Sequence, residues 1–243
     1  MTVVYNMETG QLIWVEQGRQ AKTLMTFFHQ LPKETAMNIK VVAMDMGKAY
    51  QKAVRETLPH AAIIFDRFHV MQNYSKVIKN QRRAEFKKAN SDNQKLIKGS
   101  LYLLLKNGGK LTDKQSLKLD ALLNANKNLN LIYMMKEQLQ SLWLSSSFED
   151  MSNKLEVWCQ LAEESGLSAL VRFASSLRAH RVGICHYANY PLTSARIEAG
   201  NVAIGMIRKR ARGINDTEYF KLKIRQTSIP ETHSIFYPKI KLT

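Results

Sequence analysis

Three carboxylates stand where chemistry can be built. Asp45 closes a short apolar run, Ile39–Met44, and Asp66 closes a second, Ala61–Phe65. Both runs suit buried strands. Each therefore sets an acid at the carboxyl end of a strand, the edge at which open α/β sheets form sites. Glu198 lies within a helical stretch from about Ser194 to Arg212. A metal-dependent phosphoryl-transfer site draws its carboxylates from different elements. Mg²⁺ (or Mn²⁺) takes hard oxygen ligands and one or two carboxylates per ion. Asp at a strand end plus Glu on a late helix can meet that need. Each acid also has a structural reading, since an Asp between strand and helix can serve as the helix N-cap.

At about 100° per residue, Glu198, Asn201, Gly205 and Arg208 share one face of the late helix, and Ile197, Ile204, Ile207 and Ala211 share another. The apolar face can pack on a sheet while Glu198 and Asn201 follow a polar edge. Arg208, Lys209, Arg210 and Arg212 crowd the helix's C-terminal end, where the dipole favours cations. They make either a phosphate-binding patch or a solvated helix end.

The elements that must position these residues read as follows. Thr2–Asn6 and Gln11–Glu16 flank the turn Met7–Gly10 as a hairpin. Ala21–Leu31 has helical spacing and stops at Pro32; Lys48–Leu58 has it too and stops at Pro59. From His69 to about Val171 Gly and Pro nearly vanish and apolar residues recur every three or four positions. That predicts an all-helical segment of roughly five helices at ordinary lengths. Its first part, Lys76–Lys98, carries eight Lys or Arg and two acids. Tyr187–Thr193 breaks it, and Phe220–Ile224 reads as peripheral.

The chain has 243 residues, 45% hydrophobic, enough for a core rather than a disordered tail. Its 36 Lys and Arg against 20 Asp and Glu leave a net charge of +16. That calls for a polyanionic partner, nucleic acid first, or reflects a generally basic surface. Cys159 and Cys185 are too few for a disulfide framework and point to a reducing compartment. Cys185 beside His186 is a weak metal hint. No signal peptide is evident and no apolar stretch reaches membrane-spanning length. The expectation is a cytoplasmic protein without a membrane partner.

The order hairpin, helix, strand–Asp, helix, strand, helical insertion, helix–Glu resembles the ribonuclease-H-like catalytic domain of DDE transposases. The wording Val41-Val42-Ala43-Met44-Asp45-Met46, then Leu58-Pro59-His60-Ala61, then Phe65-Asp66-Arg67-Phe68-His69-Val70 is similar to the L-three group of bacterial insertion-sequence transposases. So are Ile197-Glu198-Ala199-Gly200-Asn201, Ile207–Gly213 and Tyr219-Phe220. The resemblance implies an α/β ribonuclease-H-like core in two parts, residues 1–70 and 186–243, around a helical insertion, 71–185. It makes Asp45 the second acid of the catalytic triad and Glu198 the third, both on Mg²⁺ or Mn²⁺. Asp66 and His69 become an auxiliary pair that orients scissile DNA or supports a ligand; a capping Asp with a packed His is the structural alternative. Arg67, Asn201, Arg208, Lys209, Arg210 and Arg212 would contact DNA, with the insertion along it. Trp143 and Trp158 could stack on a base, though core packing suits both better. The active assembly would be a homo-oligomer.

One departure matters. The family's first Asp lies on a strand ahead of the hairpin, and no Asp precedes Asp45 here; Glu8, Glu16 and Glu34 do not fit its place. The expectation is an N-terminally truncated or internally started product that binds Mg²⁺ poorly and lacks the first strand. The alternative function is a non-catalytic DNA-binding remnant able to inhibit the intact enzyme. A basic helical RNA-binding protein would have no use for two strand-end aspartates.

Overall fold

Residues 1–192, 195–210 and 216–226 are described in the computed structural model of the chain, the side chains of 195–199 excepted. The fold is α/β, mostly helical, with two small sheets. Strands β1 (Thr2–Tyr5) and β2 (Leu12–Glu16) form an antiparallel hairpin with Thr2 opposite Glu16 and Val3 opposite Val15. The Asn6 side-chain oxygen accepts from the N–H groups of Glu8 (2.8 Å) and Thr9 (3.0 Å), closing the turn. Gly10 then takes φ of 75°, which costs glycine nothing sterically. Strands β3 (Val41–Met44) and β4 (Ala62–Phe65) belong to the second two-stranded sheet, whose pairing starts where Ala62 N–H donates to Lys40 O at 2.9 Å.

The chain divides into two compact units. Unit 1 joins residues 1–62 to residues 192–243. Its helix α1 (Ala21–Gln30) buries Leu24, Phe27 and Phe28 and packs on α3 (Lys48–Thr57) at Ala53 and Val54. The short α2 (Lys33–Met37) starts after Pro32, which ends α1 as the sequence predicts. Trp14 of β2 meets Phe27 with ring centroids 5.5 Å apart. The Thr2 hydroxyl donates to Gly18 O and hydrogen-bonds the Tyr50 hydroxyl, both at 2.8 Å. Helix α12 (Ala195–Arg210) carries the late acid, and α13 (Thr217–Gln226) follows later in the unit.

The reading of Phe220–Ile224 as peripheral is corrected. Helix α13 buries Ile224, 1% exposed, and its Lys221 ion-pairs Glu16 of β2 and Glu218. The C-terminal helix thus docks on the N-terminal hairpin.

Unit 2, residues 63–191, is the helical segment. It contains α4 (Arg67–Lys88), α5 (Ser91–Ile97), α6 (Leu101–Leu105), α7 (Asp113–Ala125), α8 (Lys127–Ser141), α9 (Phe148–Glu164), α10 (Ser168–Ala179) and α11 (Arg181–Cys185). The expected five helices over 69–171 are therefore too few. The cause is local capping: Asn90, Thr112, Asn126 and Ser147 each accept a backbone N–H of the turn they start. Gly99 and Gly166 supply positive φ between helices. The core centres on Tyr74, Trp158 and Phe173, packed edge to face. Tyr74 donates its hydroxyl to Ile132 O and Trp158 its indole N–H to Met135 O, both at 2.8 Å, so neither polar group is buried unpaired.

Candidate active site

Asp45 directly follows β3 and is exposed. Its Oδ1 accepts from Gly47 N–H at 2.9 Å, and Gly47 is the N-cap of α3. The capping reading of Asp45 is thus displaced by two residues: the carboxylate braces the turn into the helix from outside it. A Cβ on Gly47 would stand 2.7 Å from Asp45 Oδ1. The glycine is what lets the carboxylate fold over this turn.

Asp66 follows β4 and does cap α4, with Oδ1 accepting from Phe68 N–H at 3.0 Å. It is only 8% exposed, and its Oδ2 is buried without a hydrogen-bond partner. An unsatisfied buried acceptor costs about 1–3 kcal/mol, more when charged. Such an atom is a place where a ligand or an ordered water is due. His69 stands one turn further on, half-buried, its ring edge-on to Phe68 at 5.5 Å. Arg67 between them is exposed. Asp66 and His69 thus both stand in the first turn of α4, and capping accounts for only one of the two Asp66 oxygens.

The end of unit 2 fixes the strand that carries Asp66. His186 Nδ1–H donates to Ile63 O at 3.0 Å, and the His180 ring packs edge-on against Phe65 at 5.2 Å. Gly183 lies against the same Phe65 ring, where an added Cβ would come within 2.5 Å. Sequence reasoning missed these positions; the Cys185-His186 neighbours drew attention only as a weak metal hint. His186 is committed to the strand, and Cys185 is a buried free thiol. Cys159 is buried and free too, and burial pushes its thiol up to about 11. Trp143 and Trp158, 7% and 2% exposed, are core residues and present no face for stacking on a base.

In unit 1, α12 spans the predicted position of the late acid, and its Asn201, Arg208, Lys209 and Arg210 are exposed while Ile204 and Ile207 are half-buried. Of the residues assigned to the two faces, the side chain of Ile197 and all of Ala211 lie outside the described residues. The side chain of Glu198 and all of Arg212 lie outside the described residues. Gly200 packs under the Tyr5 hydroxyl so closely that a Cβ could not be added without displacement. Burial raises the Tyr5 hydroxyl's pKa above its usual 10. The Met1 amino group is held below its usual 8.0 by partial burial and then by the charges of Arg19 and Arg208. Arg19 is thus a second cation, with Arg208, whose charge reaches the Met1 amino group. Among the described residues no three His, Cys, Asp or Glu side chains cluster as metal ligands. No helix there is long and apolar enough to cross a membrane.

Comparison with known proteins covers these same positions. The family model for ISL3-type DDE transposases matches residues 1–224, a span that includes Asp45, Asp66, His69 and Glu198. The transposase for insertion sequence element IS1001 of Bordetella parapertussis is 36% identical over 229 residues, 92% of this chain and 56% of that protein. The transposase for insertion sequence element IS1557 of Mycobacterium tuberculosis is 26% identical over 241 residues, 90% of this chain and 54% of that protein. The chain thus spans about half the length of these relatives. No solved structure matches it. With strand-end aspartates, the late helix and nearly the whole length inside the family match, the chain belongs to the ISL3-type DDE transposase family.

Proposed function

We propose that this chain carries the catalytic part of an insertion-sequence transposase, built on a ribonuclease-H-like core and acting on DNA in the cytoplasm as a homo-oligomer. The observation that carries the reading is the family match across Asp45 and the Asp66–His69 pair, together with the unpartnered buried Oδ2 of Asp66. The donor chemistry fits a hard divalent cation. Asp45 offers an exposed carboxylate of the kind Mg²⁺ or Mn²⁺ takes, and Glu198 on α12 is its proposed co-ligand. When bound, the ion supplies Lewis-acid activation of water and of the scissile phosphodiester.

The chain's own residues do the rest. Asp45 is held at its strand end by Gly47 N–H, so its carboxylate needs little reorganisation to meet a ligand. Asp66 and His69 orient the scissile strand from the start of α4. Asn201, Arg208, Lys209 and Arg210, exposed on α12, take phosphate oxygens through amide and charge-assisted hydrogen bonds; Arg212, and separately Arg67 at the start of α4, are further proposed DNA contacts. The reaction is cleavage at the element's end and strand transfer from the freed 3′-hydroxyl.

The test is a DNA-binding and nicking assay on terminal-repeat DNA with and without Mn²⁺. Since no Asp precedes Asp45 in the sequence, the expected result is weak metal-dependent DNA binding with little nicking, the metal dependence being lost in Asp45→Asn and in Glu198→Gln while salt-sensitive binding persists. Salt-sensitive binding with no metal dependence in the unaltered chain would replace this reading with the non-catalytic DNA-binding one.

A further inference from the structure

Helix α4 carries seven Lys or Arg against one Glu, and that Glu, Glu85, is buried. Within the same unit α9 carries five acids against one Lys. Charge is therefore segregated by element inside unit 2, and α4 is the strongly basic helix.

The cations of α4 are also arranged. At about 100° per residue, Lys76, Lys79, Arg83 and Lys87 fall within an arc of roughly 80°. All four are exposed. His69 and the exposed Gln72 fall in the same arc. Arg82 does not belong to it, being turned inward to donate to Ile97 O at 3.2 Å. Among the described residues none of the four has an acid within ion-pair distance; Lys76 reaches only the Asn73 side chain, at 2.8 Å. A merely solvated helix face usually intersperses acids at i±3 or i±4 to relieve like-charge repulsion. This face has none, so its repulsion stays uncompensated until a polyanion arrives.

We propose that this stripe is a nucleic-acid backbone track that begins at the Asp66–His69 pair and runs along α4 to Lys87. It rests on the transposase reading and adds the line along which DNA leaves that pair. From His69 to Lys87 the stripe is about 27 Å long at 1.5 Å per residue. One strand of a duplex lying along it presents a charge every 3.4 Å or so of axis, so about eight nucleotides lie within its length. The cations stand about 4.5–6 Å apart along the helix, a continuous row able to follow one sugar–phosphate backbone. The hydrogen bonds go to phosphates and carry no base information. They fix the direction of the duplex rather than its sequence.

The test is the salt dependence of binding of the full chain to duplex DNA, read by fluorescence anisotropy. The variant Lys76→Gln/Lys79→Gln/Arg83→Gln/Lys87→Gln is compared with the control Lys110→Gln/Lys114→Gln/Lys118→Gln, exposed lysines elsewhere in unit 2. All sites are exposed, and circular dichroism verifies that both variants keep their helices. The slope of log K against log salt is expected to fall by about 0.9 for each phosphate no longer neutralised, about 3.6 for the four, with little change in the control. An equal fall in both variants, or an unchanged slope in the stripe variant, overturns the track while leaving DNA binding by the chain intact. Failure of the unaltered chain to bind DNA at any salt overturns both the track and the transposase reading.

Discussion

The Tyr5 hydroxyl lies directly over Gly200, so the end of β1 is seated on the helix that carries Glu198. The contact ties the N-terminal hairpin to α12 at a point two residues from the proposed catalytic acid. Gly200→Ala sets two effects against each other. Removing glycine from a helix interior gains about 0.5–1 kcal/mol, whereas overpacking costs about 1–3 kcal/mol. The clash should win, and thermal unfolding should show a lower Tm. Adding Tyr5→Ala should restore Tm toward that of Tyr5→Ala alone. An equally large drop in both backgrounds would show that the two residues do not meet.

Asp66 has two oxygens with different fates, and substitution separates them. Asp66→Ala removes the cap of α4 and should cost about 1 kcal/mol. Asp66→Asn keeps an acceptor for Phe68 N–H, and its loss should be smaller. Both should impair DNA nicking or metal-dependent binding, since each removes the buried second carboxylate oxygen. If Asp66→Asn retains full function, the residue is only a cap.

The Glu85 carboxyl gives the acid limb of stability a defined source. Burial pushes it up, but hydrogen bonds from Asn128, Asn126 and Gln81 outweigh burial and hold it below its usual 4.5. A carboxyl with a depressed folded pKa contributes stability above its unfolded pKa and loses it as pH falls through the folded value. Glu16, held down mainly by Lys221, acts in the same direction. Stability should therefore be level near neutrality and decline as pH drops below about 4.5. Glu85→Gln should flatten that decline in denaturant titrations across pH. An unchanged slope would remove Glu85 as a contributor.

Docking of α13 on the hairpin makes a packing prediction. Ile224→Ala, at a site 1% exposed, should cost about 2–5 kcal/mol as a buried cavity. Lys221→Met should be milder, because it also relieves the helix of a largely buried cation whose two carboxylate partners keep access to water. Hydrogen exchange should quicken in α13 and in β2 together. Faster exchange in α13 alone would mean that the two elements are not coupled.

Much of this architecture was legible in the sequence because it is local. The runs before Asp45 and Asp66 are strands, Pro32 ends a helix, and the spacing of Asn201, Gly205 and Arg208 puts them on the exposed side of α12. The caps that divide unit 2 were also in the sequence; Thr112 and Gln115 form a capping box that periodicity counting passes over, because it weighs apolar residues and not the polar ones that start helices.

The strands that end at Asp45 and Asp66 and the helix that stops at Pro32 follow from local sequence alone, since a period of two or 3.6 residues is written in neighbouring positions. Long-range packing is what pairs Lys221 with Glu16, Gly200 with Tyr5 and His186 with Ile63, and what buries one oxygen of Asp66 without a partner. These are pairings between distant segments. Which surfaces meet depends on shape and burial summed over whole elements, and no local pattern records that choice.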